Sequence, residues 1–315
     1  MIIENAGVRL YVEVDGADDA APVLFLHGIG SSAKSWTWLP AAITAGRQVI
    51  RLDLRGHGRS DRAPGTYDVE HFGMDVVAIL RDITGYSPGI IPAHRRVTLV
   101  GHSLGGVVAW WVAQRHPDLV AATFLEDPPL FLGTAQEFAA SGFLATFSRM
   151  RRGILELRAA DMSAREIAAQ IGVLPVQRHP LILLRDTVTD DVIDAMGFAF
   201  RWLDVTVFDS ALDGAMMTGI DVISPVASPV FVLAADGGSA FPPRHAERLA
   251  RTHAAIEVVR VTGSGHGIHE ELLYREVFSA HLDRFLARYG RTCVRRAERE
   301  PGGSVRDLTR SVAED

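Results

Sequence analysis

The sequence predicts an α/β fold in which helices cover a mostly parallel sheet of eight strands. Short apolar runs alternate with longer segments of helical character, the pattern of parallel strands joined by helical crossovers. Six runs are mostly apolar, as strands buried on both faces should be. These runs are Val23–Leu26, Val49–Leu52, Val97–Val100, Ala122–Leu125, Val230–Leu233 and Ile256–Val261. Val8–Val14 alternates between apolar and polar residues, which predicts a strand in an N-terminal antiparallel hairpin.

Helices are expected between these strands, because their lengths suit right-handed crossover connections. The segments with helical character are Ser35–Ala45, Val69–Ile83, Leu104–Arg115 and Arg244–Thr252. Residues 130–222 interrupt the alternation, since no convincing parallel strand occurs there. Helical patterns over Ala135–Arg149, Ser163–Ile171 and Val192–Trp202 predict a helical cap inserted after the sixth strand. Residues 1–129 and 223–290 would then form the core, and the charged tail 291–315 is expected to be flexible.

Composition narrows the class of protein. The 315 residues are 48% hydrophobic and 22% charged, which is typical of a globular chain with its own core. A net charge of −6 gives no reason to expect nucleic-acid binding. The single cysteine, Cys293, excludes an internal disulfide and a cysteine-based zinc site. Without a run of 18 apolar residues or a visible secretion signal, we expect a cytoplasmic enzyme with no membrane contact. Whether it forms a homo-oligomer is left open.

Gly101-His102-Ser103-Leu104-Gly105 follows one predicted strand directly and precedes a predicted helix. A serine on such a sharp turn presents its hydroxyl outward, and small residues two places on either side avoid collisions with the strand and helix. The Leu104 N–H would lie at the helix start, where unpaired donors favour negative charge. This setting predicts that Ser103 is a nucleophile, against the alternative of a simple glycine-rich turn.

Two further segments supply what a nucleophilic serine needs. In His27-Gly28-Ile29-Gly30, the Ile29 N–H would join that of Leu104 in an oxyanion hole, unless the turn merely exits its strand. In Gly265-His266-Gly267, the glycines expose an imidazole suited to act as general base. His269 is the competing base. A metal site formed by both histidines is disfavoured because a third ligand is not evident.

These segments, in this order, resemble the α/β-hydrolase superfamily, and the resemblance spans roughly residues 8–289. Asp53-Leu54-Arg55-Gly56-His57-Gly58-Arg59-Ser60 is similar to a stretch that follows the fourth strand in that superfamily. The resemblance implies an α/β-hydrolase fold and a serine nucleophile, with Arg55 and His57 as loop scaffold. It also implies that an aspartate nucleophile, as used by epoxide hydrolases and haloalkane dehalogenases of this fold, is absent.

The acid that pairs with the histidine does not follow the superfamily's common pattern. The resemblance places it after the seventh strand, where the register set by Pro242 puts Gly238 instead of an aspartate. Asp236 lies two residues earlier. Some members take the acid from the end of the sixth strand, which here ends in Glu126 and Asp127. We favour Asp127, with Asp236 and Glu126 as the alternatives.

The sequence therefore predicts a serine hydrolase that cleaves a carboxylic ester or lactone through Ser103, His266 and Asp127 and uses no cofactor. The alternatives are a carbon–carbon bond hydrolase of ring-cleavage products and a ligand-binding sensor with slow catalysis. Aromatic and methionine side chains of the cap would favour an apolar small-molecule substrate. They are Phe131, Leu132, Phe138, Phe143, Phe147, Trp202, Met216 and Met217.

Overall fold

A computed structural model describes residues 1–85, 96–176 and 179–290, so the predicted flexibility of the tail 291–315 concerns residues outside the described part. An eight-stranded sheet forms the centre of the molecule. Its strands are β1 (Ile2–Asn5), β2 (Val8–Asp15), β3 (Ala21–Leu26), β4 (Arg47–Leu52), β5 (Val97–His102), β6 (Val120–Glu126), β9 (Val230–Ala235) and β10 (Glu257–Val261).

The strand order is β1-β2-β4-β3-β5-β6-β9-β10. β2 pairs antiparallel with both β1 and β4, and every other neighbouring pair is parallel. The predicted N-terminal hairpin and mostly parallel sheet are therefore confirmed. Because the carboxyl ends of β3, β5, β6 and β9 meet at one edge, the loops that follow them converge there, where ligands bind in open α/β sheets.

The helices of the described ranges lie on both faces of the sheet and in the segment between β6 and β9. They are α1 (Ala41–Thr44), α2 (Val69–Thr84), α3 (Leu104–Arg115), α4 (Ala135–Ala140), α5 (Phe143–Ala159), α6 (Ala164–Gly172), α7 (Asp190–Trp202), α8 (Thr206–Leu212), α9 (Pro243–Thr252) and α10 (Arg275–Tyr289). Apolar side chains of α2 and α3 belong to the core on one face, and those of α1 and α10 to the core on the other. None of the helices in the described ranges is long and apolar enough to cross a membrane.

The single helix predicted over Ser35–Ala45 is wrong. The structure has a 3-10 turn at Ala33–Trp36 and the short helix α1, with Pro40 at the N-cap of α1. Proline lacks an N–H and disfavours helical geometry in the residue before it, so a continuous helix cannot pass through Pro40. The prediction for Leu104–Arg115 coincides with α3.

The segment 130–222 lies between β6 and β9 and contains α4 to α8. Its helical character agrees with the prediction, but the helix expected over Ala135–Arg149 is interrupted. Gly142 has φ of 78°, a left-handed conformation that ends α4 and starts α5 in a new direction. The segment also contains an unforeseen antiparallel pair, β7 (Pro175–Val176) with β8 (His179–Leu183).

Candidate active site

Ser103 occupies a sharp turn between β5 and α3. Its φ of 51° and ψ of −116° lie outside the regions that serine ordinarily adopts, so the surrounding structure holds it under strain. A Cβ atom at Gly101 would collide with the Gly105 carbonyl, and one at Gly105 would collide with the Leu26 carbonyl. The two glycines are therefore required by close backbone approach, and the turn has the geometry of a nucleophile elbow.

The turn after β3 passes beside this serine. A Cβ atom at Gly28 would lie 2.9 Å from His102 Nδ1 and 3.2 Å from the Cβ of Ser103, so a larger residue there would press on the serine turn. Ile29 and Leu104 line the same cavity as Ser103. Within the described part of the chain, neither of their backbone N–H groups is paired with another protein group. An oxyanion hole requires two unpaired donors of this kind close to the nucleophile.

Two buried histidines hold this turn in place. His57 donates from Nδ1 to the Arg55 carbonyl at 2.9 Å and accepts from the Gly30 N–H at 3.2 Å. His27 accepts from the Leu54 N–H at 3.0 Å. Burial lowers the pKa of His57 to about 4 and lowers the pKa of His27 well below its usual value. Both rings are therefore neutral near pH 7, and they connect the β3 and β4 loops, which supports a scaffold role for His57.

Arg55 forms a buried ion pair with Asp75 of α2. Its Nε and Nη2 atoms each lie 2.6 Å from a carboxylate oxygen, and both side chains are at most 2% exposed. Asn5 donates to the same carboxylate at 2.8 Å, and Arg55 also donates to the Thr66 hydroxyl at 2.7 Å. Arg55 is thus fully engaged with α2 and its preceding loop, as its predicted scaffold role requires.

His266 lies on the loop after β10 and pairs with Asp127 at the end of β6. Its Nδ1 donates to Asp127 Oδ2 at 2.6 Å, and its side chain is 27% exposed. This tautomer leaves Nε2 free to accept a proton. His102, the residue before Ser103, donates from Nε2 to the His266 carbonyl at 3.1 Å, so the serine turn contacts the histidine loop directly.

Asp127 collects donors from three segments. Besides His266, its carboxylate accepts from the Ala235 N–H at 3.0 Å, the Ser239 hydroxyl at 2.6 Å and the Ala240 N–H at 2.7 Å. Burial raises the pKa of Asp127, but these hydrogen bonds outweigh burial and bring the pKa below its usual value. The carboxylate is therefore ionised at neutral pH. Asp127 also has φ of 43°, so its backbone is held in the left-handed region.

The alternative acids lie elsewhere. Asp236 Oδ2 accepts from the Gly263 N–H at 3.0 Å, and Gly238 stands in open space with φ of 65°. Glu126 pairs with the other histidine candidate, His269. Of the three carboxylates considered from sequence, Asp127 is the one hydrogen-bonded to His266 in the described part of the chain.

The electrostatics of His266 favour its protonated form more than water does. Burial lowers the pKa of His266, whereas its hydrogen bond to Asp127 and the negative charges of Asp127, Glu126 and Glu270 raise it. The net effect is a raised pKa.

Among the described residues, no group of three or more His, Cys, Asp or Glu side chains is arranged to hold a metal ion.

An apolar cavity of about 40 Å³ lies beside Ser103. Six of the eight side chains expected to line a substrate pocket line this cavity: Leu132, Phe138, Phe143, Phe147, Met216 and Met217. The other two do not line it. Phe131 packs against Phe241, with ring centroids 6.2 Å apart, and Trp202 is 48% exposed beside Arg201.

A second cavity of about 320 Å³ includes His266 in its lining. Its lining is more polar and includes Thr146, Thr187 and Glu270. Phe143 lines both cavities, and its ring centroid lies 5.5 Å from that of His266. Phe143 is therefore a lining residue that the Ser103 cavity and the His266 cavity share.

Sequence reasoning missed two groups at this site. Ser239 anchors Asp127, and its own hydroxyl accepts from the Phe241 N–H at 2.9 Å. Its place one residue after Gly238, in the loop that usually carries the acid, was the available signal. His102 belongs to the Ser103 motif, and nothing in that motif indicates its contact with the His266 carbonyl.

Comparisons with known proteins agree with this architecture. The sequence model described as alpha/beta hydrolase fold matches residues 21–271. A curated relative, the mouse sn-1-specific diacylglycerol lipase ABHD11, is 25% identical over 280 residues, covering 85% of this chain and 83% of its own length. A carboxylesterase of the thaumarchaeon Nitrososphaera gargenis superposes with a TM-score of 0.69 at 20% identity, covering 92% of this chain and 98% of its own. Est816, an N-acyl homoserine lactone degrading enzyme, gives 0.64 at 23% identity, covering 90% and 100%. The chain belongs to the alpha/beta hydrolase fold family and is, by family and fold, a hydrolase.

Proposed function

We propose that this hydrolase cleaves a carboxylic ester or lactone through a Ser103–His266–Asp127 triad. Ser103 is the nucleophile, His266 the general base and Asp127 the acid that orients His266. The N–H groups of Ile29 and Leu104 form the oxyanion hole. The observation that carries the proposal is the 2.6 Å hydrogen bond from His266 Nδ1 to Asp127, because it fixes the tautomer that a serine nucleophile needs.

The reaction uses groups of the chain and one water molecule. Ser103 Oγ attacks the carbonyl carbon while His266 Nε2 takes the hydroxyl proton, and the carbonyl oxygen becomes an oxyanion held by the two N–H groups. Collapse of this intermediate breaks the carbon–oxygen bond, and His266 returns the proton to the departing alcohol. Water, deprotonated by His266, then attacks the acyl-enzyme, releases the carboxylic acid and regenerates Ser103.

We propose that residues 130–222 act as a cap over a core formed by residues 1–129 and 223–290. Met216, Met217 and aromatic residues of α4 and α5 line the apolar cavity together with Ser103. At about 40 Å³ the cavity is far smaller than typical ligand pockets. It suits a short apolar acyl group, and the more polar cavity beside His266 suits the departing alcohol.

Two alternatives remain outcomes of the test. A ligand-binding sensor on this scaffold does not require a paired acid and base, so the Asp127–His266 hydrogen bond supports catalysis over that reading. A carbon–carbon bond hydrolase would use the same three residues. The lining of the apolar cavity does not favour carbon–carbon bond hydrolysis, because Ser103 is the one polar side chain in that lining.

The decisive experiment measures hydrolysis of p-nitrophenyl esters of increasing acyl length, and of lactones, with Ser103→Ala as the blank. We expect serine-dependent turnover with an optimum at short acyl length. Turnover by Ser103→Ala within tenfold of the parent would exclude Ser103 as nucleophile. Reaction with an organophosphate, followed by peptide mass spectrometry, adds a readout that does not depend on the substrate: we expect one adduct, on Ser103.

A further inference from the structure

A second acid–imidazole pair lies directly behind the proposed triad. Glu126 and Asp127 are consecutive at the end of β6, and His266 and His269 lie three residues apart on one loop. Asp127 binds His266, and Glu126 binds His269 with both carboxylate oxygens. Glu126 Oε1 accepts from the His269 backbone N–H at 2.8 Å, and Oε2 accepts from its Nδ1 at 2.7 Å. The mechanism above does not use Glu126 or His269.

This second pair is closed to substrate. The side chains of His269 and Glu126 are 1% and 0% exposed. The indole of Trp36 stacks on the His269 ring, with centroids 4.0 Å apart and planes 18° apart, and the Phe278 ring lies 5.7 Å away. Glu126 and His269 line neither of the two cavities that have Phe143 in their lining. His269 therefore has no access to a reacting group and cannot replace His266 as the base.

The His269 side chain is held in place by its hydrogen bond to Glu126. Its other nitrogen, Nε2, is buried and without a hydrogen-bond partner in the described part of the chain. Glu270 Oε1 lies 3.8 Å from that nitrogen, beyond hydrogen-bond distance. Burial lowers the pKa of His269, but the charge and hydrogen bond of Glu126 and the charge of Glu270 raise it, and the net effect is a raised pKa. The two hydrogen bonds of Glu126 fix both the backbone and the side chain at position 269.

Those contacts fix the loop that carries His266. The loop is attached to β6 through Asp127–His266 at one point and through Glu126–His269 at another. The Gly265 N–H donates to Glu271 Oε1 at 2.8 Å, which closes the loop on itself. Since Glu126 and Asp127 are adjacent on a buried strand, the spacing of the two attachment points sets the orientation of His266.

We propose that Glu126 and His269 are positioning residues that hold the His266 loop so that Nδ1 faces Asp127 and Nε2 faces Ser103. This inference rests on the triad proposed above. The two residues act through His266 and do not touch the substrate. In this arrangement the consecutive carboxylates at the end of β6 have separate roles: Asp127 orients the base, and Glu126 orients the loop that bears it.

The test compares His269→Ala with His269→Asn. The asparagine amide can replace the Nδ1–H donor to Glu126, whereas alanine cannot. We expect His269→Ala to lower kcat by about 10- to 100-fold, in the range of other outer-shell orienting groups. We expect KM to stay unchanged and His269→Asn to recover most of the lost rate. Asp236→Asn, which alters a carboxylate that contacts neither histidine, is the matched control and should leave kcat at the parent value.

A second readout does not depend on turnover. The His266 Nδ1 proton bonded to Asp127 should give a low-field proton NMR signal in the parent protein. We expect it to broaden or disappear in His269→Ala and to persist in His269→Asn. If His269→Ala does not fold, Glu126→Leu serves instead: leucine can accept neither from the His269 N–H nor from Nδ1, so the same losses are expected.

Two outcomes would overturn the inference: parental kcat, or a parental low-field signal, in folded His269→Ala or in folded Glu126→Leu. A purely structural role would lower the unfolding temperature and leave both readouts unchanged. Failure of the proposed hydrolase function is recognised separately, because it would appear as absent Ser103 labelling in the parent protein while the NMR comparison remains interpretable.

Discussion

Asp127 Oδ2 lies 2.6 Å from His266 Nδ1, although the two residues are 139 positions apart in the chain. The carboxylate comes from the end of β6, and the histidine from the loop after β10. β9 lies between these two strands in the sheet, and its last residue, Ala235, and Ala240 of the following loop donate their N–H groups to the same carboxylate. Asp127 therefore reaches His266 across the strand end that usually bears the acid.

We predict that Asp127→Asn lowers kcat by about 10⁴, because an asparagine amide would favour the wrong tautomer of His266. Asp236→Asn is the matched control. Its side chain contacts the Gly263 N–H and not His266, so we expect little change in kcat. Steady-state ester hydrolysis by both purified variants checks the prediction. The reverse ranking would move the acid to Asp236.

We predict that kcat/KM falls at low pH with a midpoint above pH 6.5. His266 must be neutral to accept the Ser103 proton, and the net effect of burial, Asp127 and nearby carboxylates raises its pKa. The active form is therefore lost as pH falls through this raised pKa. A pH–rate profile from pH 5 to 9 measures the midpoint. A midpoint at or below that of free histidine would contradict the assignment of His266 as the base.

We predict that Phe143→Ala changes acyl-chain selectivity more than Phe138→Ala. Phe143 lines both cavities, so we expect its removal to join them. Of the two cavities, Phe138 lines the apolar one and not the other. The ratio of kcat/KM for a 12-carbon over a 4-carbon ester should rise by about tenfold in Phe143→Ala, the effect of one or two methylene contacts. Equal chain-length profiles in the two variants would show that Phe143 does not separate the cavities.

We predict that Arg55→Met destabilises the fold by about 3–5 kcal/mol, because it leaves the Asp75 charge buried without its partner. Arg9→Met is the control, since the Arg9–Asp61 pair lies at the surface and Arg9 is 69% exposed. Its removal should leave the urea midpoint close to that of the parent. If the two variants unfold at the same urea concentration, Arg55 does not have the scaffold role assigned to it.

The sequence by itself determined the mostly parallel main sheet and the tight turn at Ser103. Apolar runs predicted the buried strands, since a strand with helices on both faces has no exposed side. The glycines around Ser103 indicated a tight turn, and the structure shows the close backbone contacts that require them. Helix boundaries in 130–222 were less predictable, because Gly142 breaks a helix only through the conformation that the surrounding contacts select.

Only the tertiary structure decided how the charged groups pair. Glu126, Asp127 and Asp236 were all candidates for the acid, because each follows a strand that ends at the same edge of the sheet. Side-chain direction then separated them: Asp127 meets His266, Glu126 meets His269, and Asp236 binds a backbone N–H. Such pairings depend on how distant segments are placed relative to one another, to within a fraction of an ångström. Local sequence patterns carry no information about that placement.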